Sequence, residues 1–179
     1  MNINPYPFPI LTTDRLVLRA LDMNDRDALL ALRADKRVNK YIGRSSDIST
    51  ADVEAFINKI AAILENKQGV YWVICLKDNP NLIGTICYYN LDPERDSAEI
   101  GYELLPDYQG QGLMQEAITA VINYGFDVMG LKLITAFSHP NNESSGKLLT
   151  RKGFELDSGH QYVSEADADG LLVYALVKL

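Results

Sequence analysis

The stretch AEIGYELLPDYQGQGLMQEAITAVINYGFDVMG, residues 98–130, carries the pattern that places the rest of the chain. Ala98–Leu105 alternates in polarity and predicts a strand, with Ile100, Tyr102 and Leu104 on one face and Glu99, Gly101 and Glu103 on the other. Pro106–Gly112 predicts a loop, and Leu113–Met129 a helix that Gly130 ends. In this order they suit an anion: Gly110 and Gly112 let the backbone approach a ligand closely, and the helix offers unpaired first-turn N–H groups and the positive end of its dipole. Glycines before a helix can also serve only to make a turn, and three phosphate-binding patterns compete for this one. A P-loop ends in Gly-Lys-Ser/Thr, which is absent. A dinucleotide fingerprint needs a third glycine or alanine where Gln115 stands, and it normally follows the first strand rather than a late one. The third pattern, Gln/Arg-x-x-Gly-x-Gly/Ala, is met by Gln109-x-x-Gly112-x-Met114 except at its last position.

Outward from this unit, Arg15–Arg19 reads as a first strand, and Asp22 can cap a helix through about Ala34 with Leu29 and Leu32 inward. Ser49 or Thr50 caps a second helix, whose stripe Val53, Phe56, Ile57, Ile60, Ala61, Leu64 keeps helical spacing. Val70–Lys77 and Leu82–Tyr89, joined by the polar residues 78–81, predict an antiparallel hairpin. Asp92–Asp96 makes the next turn. Beyond Gly130 come a strand at Lys132–Phe137, a short helix at Ser144–Lys152 closed by Gly153, and last strands at Phe154–Leu156 and Leu171–Leu179. The order implies a single α/β (α+β) layered domain over residues 1–179. Its sheet is mixed, mostly antiparallel, with about six to seven strands and about four flanking helices, and residues 1–10 form a loose N-terminal segment.

The chain has 179 residues, 47% of them apolar and 23% charged, as expected of a globular domain with a sizeable core. The longest apolar run, Val70–Leu76, is too short to span a bilayer, and the start, with Pro5, Pro7 and Pro9, lacks the plan of a secretion signal; a cytoplasmic protein is expected, with no membrane partner. A formal charge of −7 argues against nucleic acid. It could attract cationic amines, or only keep the chain soluble. Cys75 and Cys87 sit in apolar strands and read as buried small residues; with only His139 and His160 besides, no metal-ligand spacing exists.

Five fragments in order resemble the GNAT acyltransferase superfamily, most of all its ribosomal-protein N-terminal (RimJ/RimL-like) acetyltransferase branch. They are Leu11-Thr12-Thr13-Asp14-Arg15-Leu16-Val17-Leu18-Arg19, then Ala98–Leu104, Gln109–Met114, Asn142-x-x-Ser145 and Lys152-Gly153-Phe154. Met114 departs from the wider superfamily but is similar to this branch. The resemblance implies a splayed sheet and acetyl-CoA as co-substrate, with no metal. It implies that the backbone of Leu104 and Leu105 pairs with the pantetheine arm. The N–H groups of Gln109, Gly110, Gln111, Gly112, Leu113 and Met114 would hold the pyrophosphate, Asn142 would bond the pantetheine side, and Ser145 would lie near the thiol. Asn142 can equally cap a helix, and Lys147 and Arg151 could reach phosphates or simply face solvent.

Amine attack on a thioester needs a neutral amine, a donor for the oxyanion and a proton for the leaving thiolate. Glu99 and Glu103 share a strand face and are candidate proton acceptors; Glu99 matches the base of histone-acetylating relatives, and a merely paired or solvated carboxylate is the competing reading. The tyrosine that many members use to protonate the thiolate would stand at Leu149. Ser145 is therefore the substitute, Tyr162 a more distant one, and protonation by water a further alternative. Without a Gly-x-Ser-x-Gly elbow, and with both cysteines in the core, direct transfer in a ternary complex is expected. His139 reads as a loop residue and Trp72 as packing. The acceptor implied is an amine, of a peptide N-terminus or of a small molecule such as a polyamine, amino acid or aminoglycoside, on a monomer or homodimer. A non-catalytic acyl-CoA sensor and a nucleotide-binding module are the readings from other classes.

Overall fold

The computed structural model describes residues 1–2 and 6–178. In chain order the elements are β1 (Leu11–Thr12), β2 (Leu16–Ala20), α1 (Arg26–Ala34), α2 (Lys36–Asn39), α3 (Thr50–Glu65), β3 (Val70–Leu76), β4 (Asn79–Asp92), β5 (Ser97–Leu104), α4 (Leu113–Asn123), β6 (Leu133–Ser138), α5 (Glu143–Arg151), β7 (Glu155–Leu156), α6 (Glu165–Ala168) and β8 (Leu172–Val177). Among the described residues the strands form one sheet in the order β1-β2-β3-β4-β5-β6-β8-β7, with β5–β6 the one parallel pair. The mixed, mostly antiparallel sheet expected from sequence is therefore present. It has eight strands because β1, two residues long, is too short to show a period, and α2 and α6, four residues each, add two helices.

Alternation along the strands builds a core on each face. Val70, Trp72 and Ile74 of β3 turn one way, onto Ala117, Ile118 and Val121 of α4 and Leu149 of α5. Val73 and Cys75 turn the other way, onto Leu29 and Leu32 of α1 and Val53 and Ile57 of α3. Reciprocal caps precede α1 and open α3. Asp22 accepts from the Asn24 N–H (2.7 Å) while Asp25 accepts from the Asp22 N–H (3.1 Å). Ser49 and Asp52 do the same ahead of α3. The 22–25 cap forms a tight turn of its own, so α1 begins at Arg26.

Two expectations are corrected. The helix predicted to Met129 widens after Asn123 into a π-helical turn, Tyr124–Met129, before Gly130. Its cause is Tyr88, whose buried hydroxyl donates to the Val121 carbonyl (3.0 Å) and lies where a Cβ on Gly125 would sit. The first ten residues are also less loose than expected. Positions 3–5 lie outside the described residues, but the Asn2 N–H donates to Met129 O (2.6 Å), Phe8 packs edge-on against Trp72, and the Trp72 indole N–H donates to Pro9 O (2.7 Å). The last predicted strand is found as β8, and its expected end at Leu179 lies outside the described residues.

Candidate active site

The sheet opens in its middle. β5 and β6 pair only at Ser97↔Leu133, Ala98↔Ile134 and Glu99↔Thr135. Past Glu99, β5 stays with β4 as far as Gly84↔Leu104, while β6 stays with β8 as far as Ser138↔Leu172, so the two halves part. The Leu105 N–H donates to Ile83 O (2.9 Å), which fixes the alternation of the antiparallel ladder. Ile100, Tyr102 and Leu104 therefore turn their backbone groups toward the gap. Leu104, expected to offer its backbone, turns its N–H to the gap, while its carbonyl accepts from the Gln109 side chain. Leu105 has its N–H committed to β4, and Tyr102 stands in the register position that Leu105 was expected to fill.

At the mouth of the gap lies the glycine turn. Gly110 (φ +74°) and Gly112 (φ +76°) both adopt the left-handed region, and Gly112 begins α4 with no side-chain cap. The first-turn N–H groups of α4 thus have no side-chain cap among the described residues, the arrangement in which a helix start can take an anion. The Gln109 side chain donates to Leu104 O (2.8 Å) and the Gln111 side chain to Asp107 O (2.9 Å), so both glutamines brace the turn. From behind, Glu116 of α4 accepts from the Thr13 hydroxyl, the Arg15 N–H (2.8 Å) and Arg15 Nε (2.8 Å), and Arg15 Nη1 donates to Gln111 O (3.0 Å). Burial alone would raise the Glu116 pKa, but these bonds outweigh it and hold the carboxylate below its usual range. Leu113 is buried under the turn, and Met114 packs against the same core.

On the α4/α5 face of the gap, Ser145 Oγ lies 2.9 Å from Tyr102 Oη. Burial pushes the Tyr102 hydroxyl up to about 12, so it stays protonated at neutral pH. Asn142 caps α5 by accepting from the Ser145 N–H (3.2 Å), which sets the serine at the gap. Leu149 is fully buried and brings no hydroxyl. The Tyr162 N–H donates to Asp157 (2.9 Å), and its carbonyl accepts from Arg95, in the turn that leads into the Ser97 end of β5, away from the open end. Lys147 pairs with Glu143 (3.0 Å) on the helix surface.

On the α1/α3 face stand Glu99 and Glu103. Glu99 accepts from the Tyr89 hydroxyl and from Asn90 Nδ2 (2.9 Å), both neutral; burial pushes its pKa up, and those two bonds only partly offset it. Glu103 is instead ion-paired with Arg44 (2.8 Å), which also donates twice to Asn39 Oδ1 (3.0 and 2.6 Å). Between them, the Cys87 thiol is pushed up to about 12 by burial and by Glu103, which disfavours it as a nucleophile. His139 accepts the Asn141 N–H on Nδ1 (3.1 Å), and its ring packs on Tyr41 at 5.4 Å between centroids. Sequence reasoning missed Tyr102, Tyr89, Arg44 and the Arg15–Glu116 pair. Tyr102 and Arg15 lie inside fragments already singled out, but nothing in the sequence tells which partners they meet.

Residues 15–155 match the Acetyltransferase (GNAT) domain family. The chain is 38% identical over 148 residues to Uncharacterized N-acetyltransferase YoaA of Bacillus subtilis, covering 83% of this chain and 84% of that one. It is 35% identical over 152 residues to the [Ribosomal protein uS5]-alanine N-acetyltransferase of Escherichia coli, covering 81% and 77%. Among solved structures it is similar to the Microcin C7 self immunity acetyltransferase MccE in complex with acetyl-CoA and AMP, with a TM-score of 0.78, 20% identity and 92% and 93% of the two chains covered. The chain belongs to the GNAT acetyltransferase family and is an N-acetyltransferase that uses acetyl-CoA. Among the described residues no helix is long and apolar enough to cross a membrane.

Proposed function

We propose that this GNAT enzyme acetylates the N-terminal amine of a protein or peptide, by direct attack on acetyl-CoA in a ternary complex within the β5–β6 gap. The observation that carries the site is the continuity of that gap with the uncapped start of α4. A pyrophosphate at Gln109–Met114 puts an extended arm alongside Tyr102 and Leu104, where the backbone groups of Tyr102 and the Leu104 N–H can pair with it as a strand would, the Leu104 carbonyl being held by Gln109. The thioester then reaches the point where β5 and β6 separate, beside Ser145. With the arm on the α4/α5 side, the amine enters from the α1/α3 side, where Glu99 stands.

Glu99 suits the base better than Glu103. Its carboxylate bonds only neutral groups and has a raised pKa, whereas Glu103 is tied up in an ion pair with Arg44. Glu99, directly or through water, takes a proton from the amine; nitrogen attacks the carbonyl carbon, the C–N bond forms, and the C–S bond breaks. Ser145, backed by the Tyr102 hydroxyl, donates a hydrogen bond to the departing sulfur, and solvent returns the thiol proton. A peptide acceptor is supported by the likeness to an enzyme named for acetylating alanine on ribosomal protein uS5. A cytoplasmic site of action accords with such an acceptor.

Thiol release from acetyl-CoA tests this reading, measured with peptides whose α-amine is free or blocked and with a polyamine, an amino acid and an aminoglycoside. Release is expected with free-amine peptides only. Turnover confined to the small amines would overturn the peptide assignment. Tight coenzyme A binding with no turnover on any amine would favour a sensor.

A further inference from the structure

The acceptor side of the gap is walled by Glu99 and Glu103, by the end of α1, by α3 and by the segment 39–46 that Asn39 ties down through bonds to Arg33 O (2.7 Å) and Ser46 Oγ (2.8 Å). Arg33, in the last turn of α1, lies in this wall. Its guanidinium carbon sits 3.9 Å above the Phe56 ring, which packs edge-on against Tyr71 at 5.7 Å. The other half-buried arginines, Arg19, Arg26 and Arg44, each hold a carboxylate. Among the described residues Arg33 has no ion pair and no hydrogen bond from its guanidinium. The nearby carboxylate, Glu103, already accepts from Arg44 (2.8 Å) and Thr85 (3.4 Å).

A guanidinium stacked on a ring keeps all its N–H groups in the plane and free at its edge. Partial burial without a counter-ion is unfavourable, and here burial and the neighbouring Arg44 both push the Arg33 pKa down. A carboxylate meeting that edge would take two parallel hydrogen bonds and relieve the excess charge. The cation also stands out in a chain of net charge −7, where long-range attraction of an anion is not on offer and only a local fit can supply it.

We propose that Arg33 is an anion subsite for the acceptor, selecting amines that carry a carboxylate a short distance from the reacting nitrogen. Resting on the peptide reading above, the substrates are N-termini with an acidic side chain in the first few residues.

Initial rates are compared for peptides that share a free N-terminal serine and differ only in carrying Glu or Gln at the next two positions. The wild-type enzyme, Arg33→Gln and Arg33→Lys are assayed at low and high salt. The wild type should favour the Glu peptide by about tenfold in kcat/KM, mostly through KM, the low end for a hydrogen bond to a charged group. Salt should shrink the ratio. Arg33→Gln should bring it close to one and Arg33→Lys restore part of it, with KM for acetyl-CoA alike in all three. Equal use of both peptides by the wild type, or a preference that survives Arg33→Gln, overturns the subsite and leaves acetyl transfer standing. Acetylation of small carboxylate-bearing amines in place of peptides, with the same dependence on Arg33, keeps the subsite and overturns the peptide reading. Should Arg33→Gln fold poorly by circular dichroism, the wild-type ratio and its salt dependence decide.

Discussion

Replacing Glu116 by alanine removes three interactions that fasten the 13–15 turn onto α4, the helix proposed to hold the pyrophosphate. The Arg15 side chain is half exposed, so its ion pair contributes about 0.5 kcal/mol. The bonds from the Thr13 hydroxyl and the Arg15 N–H go to a carboxylate that is 19% exposed, at roughly 1 kcal/mol each before water replaces part of them. A carboxylate in the first turn of α4 adds a few tenths through the helix dipole, about what the better helix propensity of alanine returns. The net loss is about 2 kcal/mol, or roughly 6 °C in Tm for a chain of this size. Glu116 has a lowered pKa in the folded state, so its contribution is present above the unfolded carboxylate value of about 4.3 and disappears as pH falls through the lower folded value. Urea unfolding of both proteins from neutral to acidic pH should therefore show a gap that closes in acid. A gap under about 0.5 kcal/mol at neutral pH, or one equally wide in acid, would refute the latch.

Three further substitutions address the site itself. Gly112→Ala puts a Cβ in a left-handed backbone position, at a cost of roughly 1 kcal/mol, and among the described residues away from the local chain the contact it would make within 4 Å is Arg15 Nη2 at 3.5 Å. Coenzyme A affinity by calorimetry should fall about tenfold, while Gly130→Ala, equally strained at φ +73° but remote from the turn, should leave it alone; equal losses would count against the turn. Glu99 has a raised folded-state pKa, so whatever stability it adds exists below the unfolded value and is lost as pH rises through the folded one. Glu99→Gln should thus unfold no sooner than wild type at neutral pH, while kcat/KM drops and the rising limb of its pH profile flattens; an unchanged profile removes Glu99 from the role. Ser145→Ala should lower kcat without changing KM for acetyl-CoA, and adding Tyr102→Phe to it should do little more, because the two hydroxyls act as a pair; fully additive losses would separate them.

Much of the fold was legible because its elements carry complete periods. The stripe from Val53 to Leu64, the Ser49 cap and the alternation of β5 each repeat often enough to be read. The glycine turn was legible for a different reason: φ near +75° at Gly110 and Gly112 strongly favours glycine, so conformation writes itself into the sequence. What stayed hidden depends on partners distant in the chain. Glu99 and Glu103 are indistinguishable along the strand, and they differ only because Arg44 comes to one and Tyr89 with Asn90 to the other. The gap has no composition either, since it exists where β6 follows β8 instead of β5. The π-helical turn was set by Tyr88, 33 residues before the carbonyl it bonds.

The pairing of Ser145 with Tyr102 bears on how the thiolate leaves. The family resemblance leads one to expect a tyrosine in the helix before Lys152-Gly153-Phe154, but Leu149 occupies that position inside the core, and the phenol beside Ser145 comes from the strand across the gap. With its pKa near 12, Tyr102 would lose about 5 kcal/mol by giving up its proton to a thiolate whose conjugate acid lies near 8.5. A serine hydroxyl is a weaker acid still. Neither group can therefore serve as a net acid, whereas both can polarise one another and present a fixed hydrogen bond to developing charge on sulfur. Such a bond needs no proton to move in the rate-determining step. A thiolate is a good enough leaving group near neutral pH to depart so assisted, and water then supplies the proton. On the proposed mechanism, that accounts for a family member with leucine where the helix tyrosine is expected.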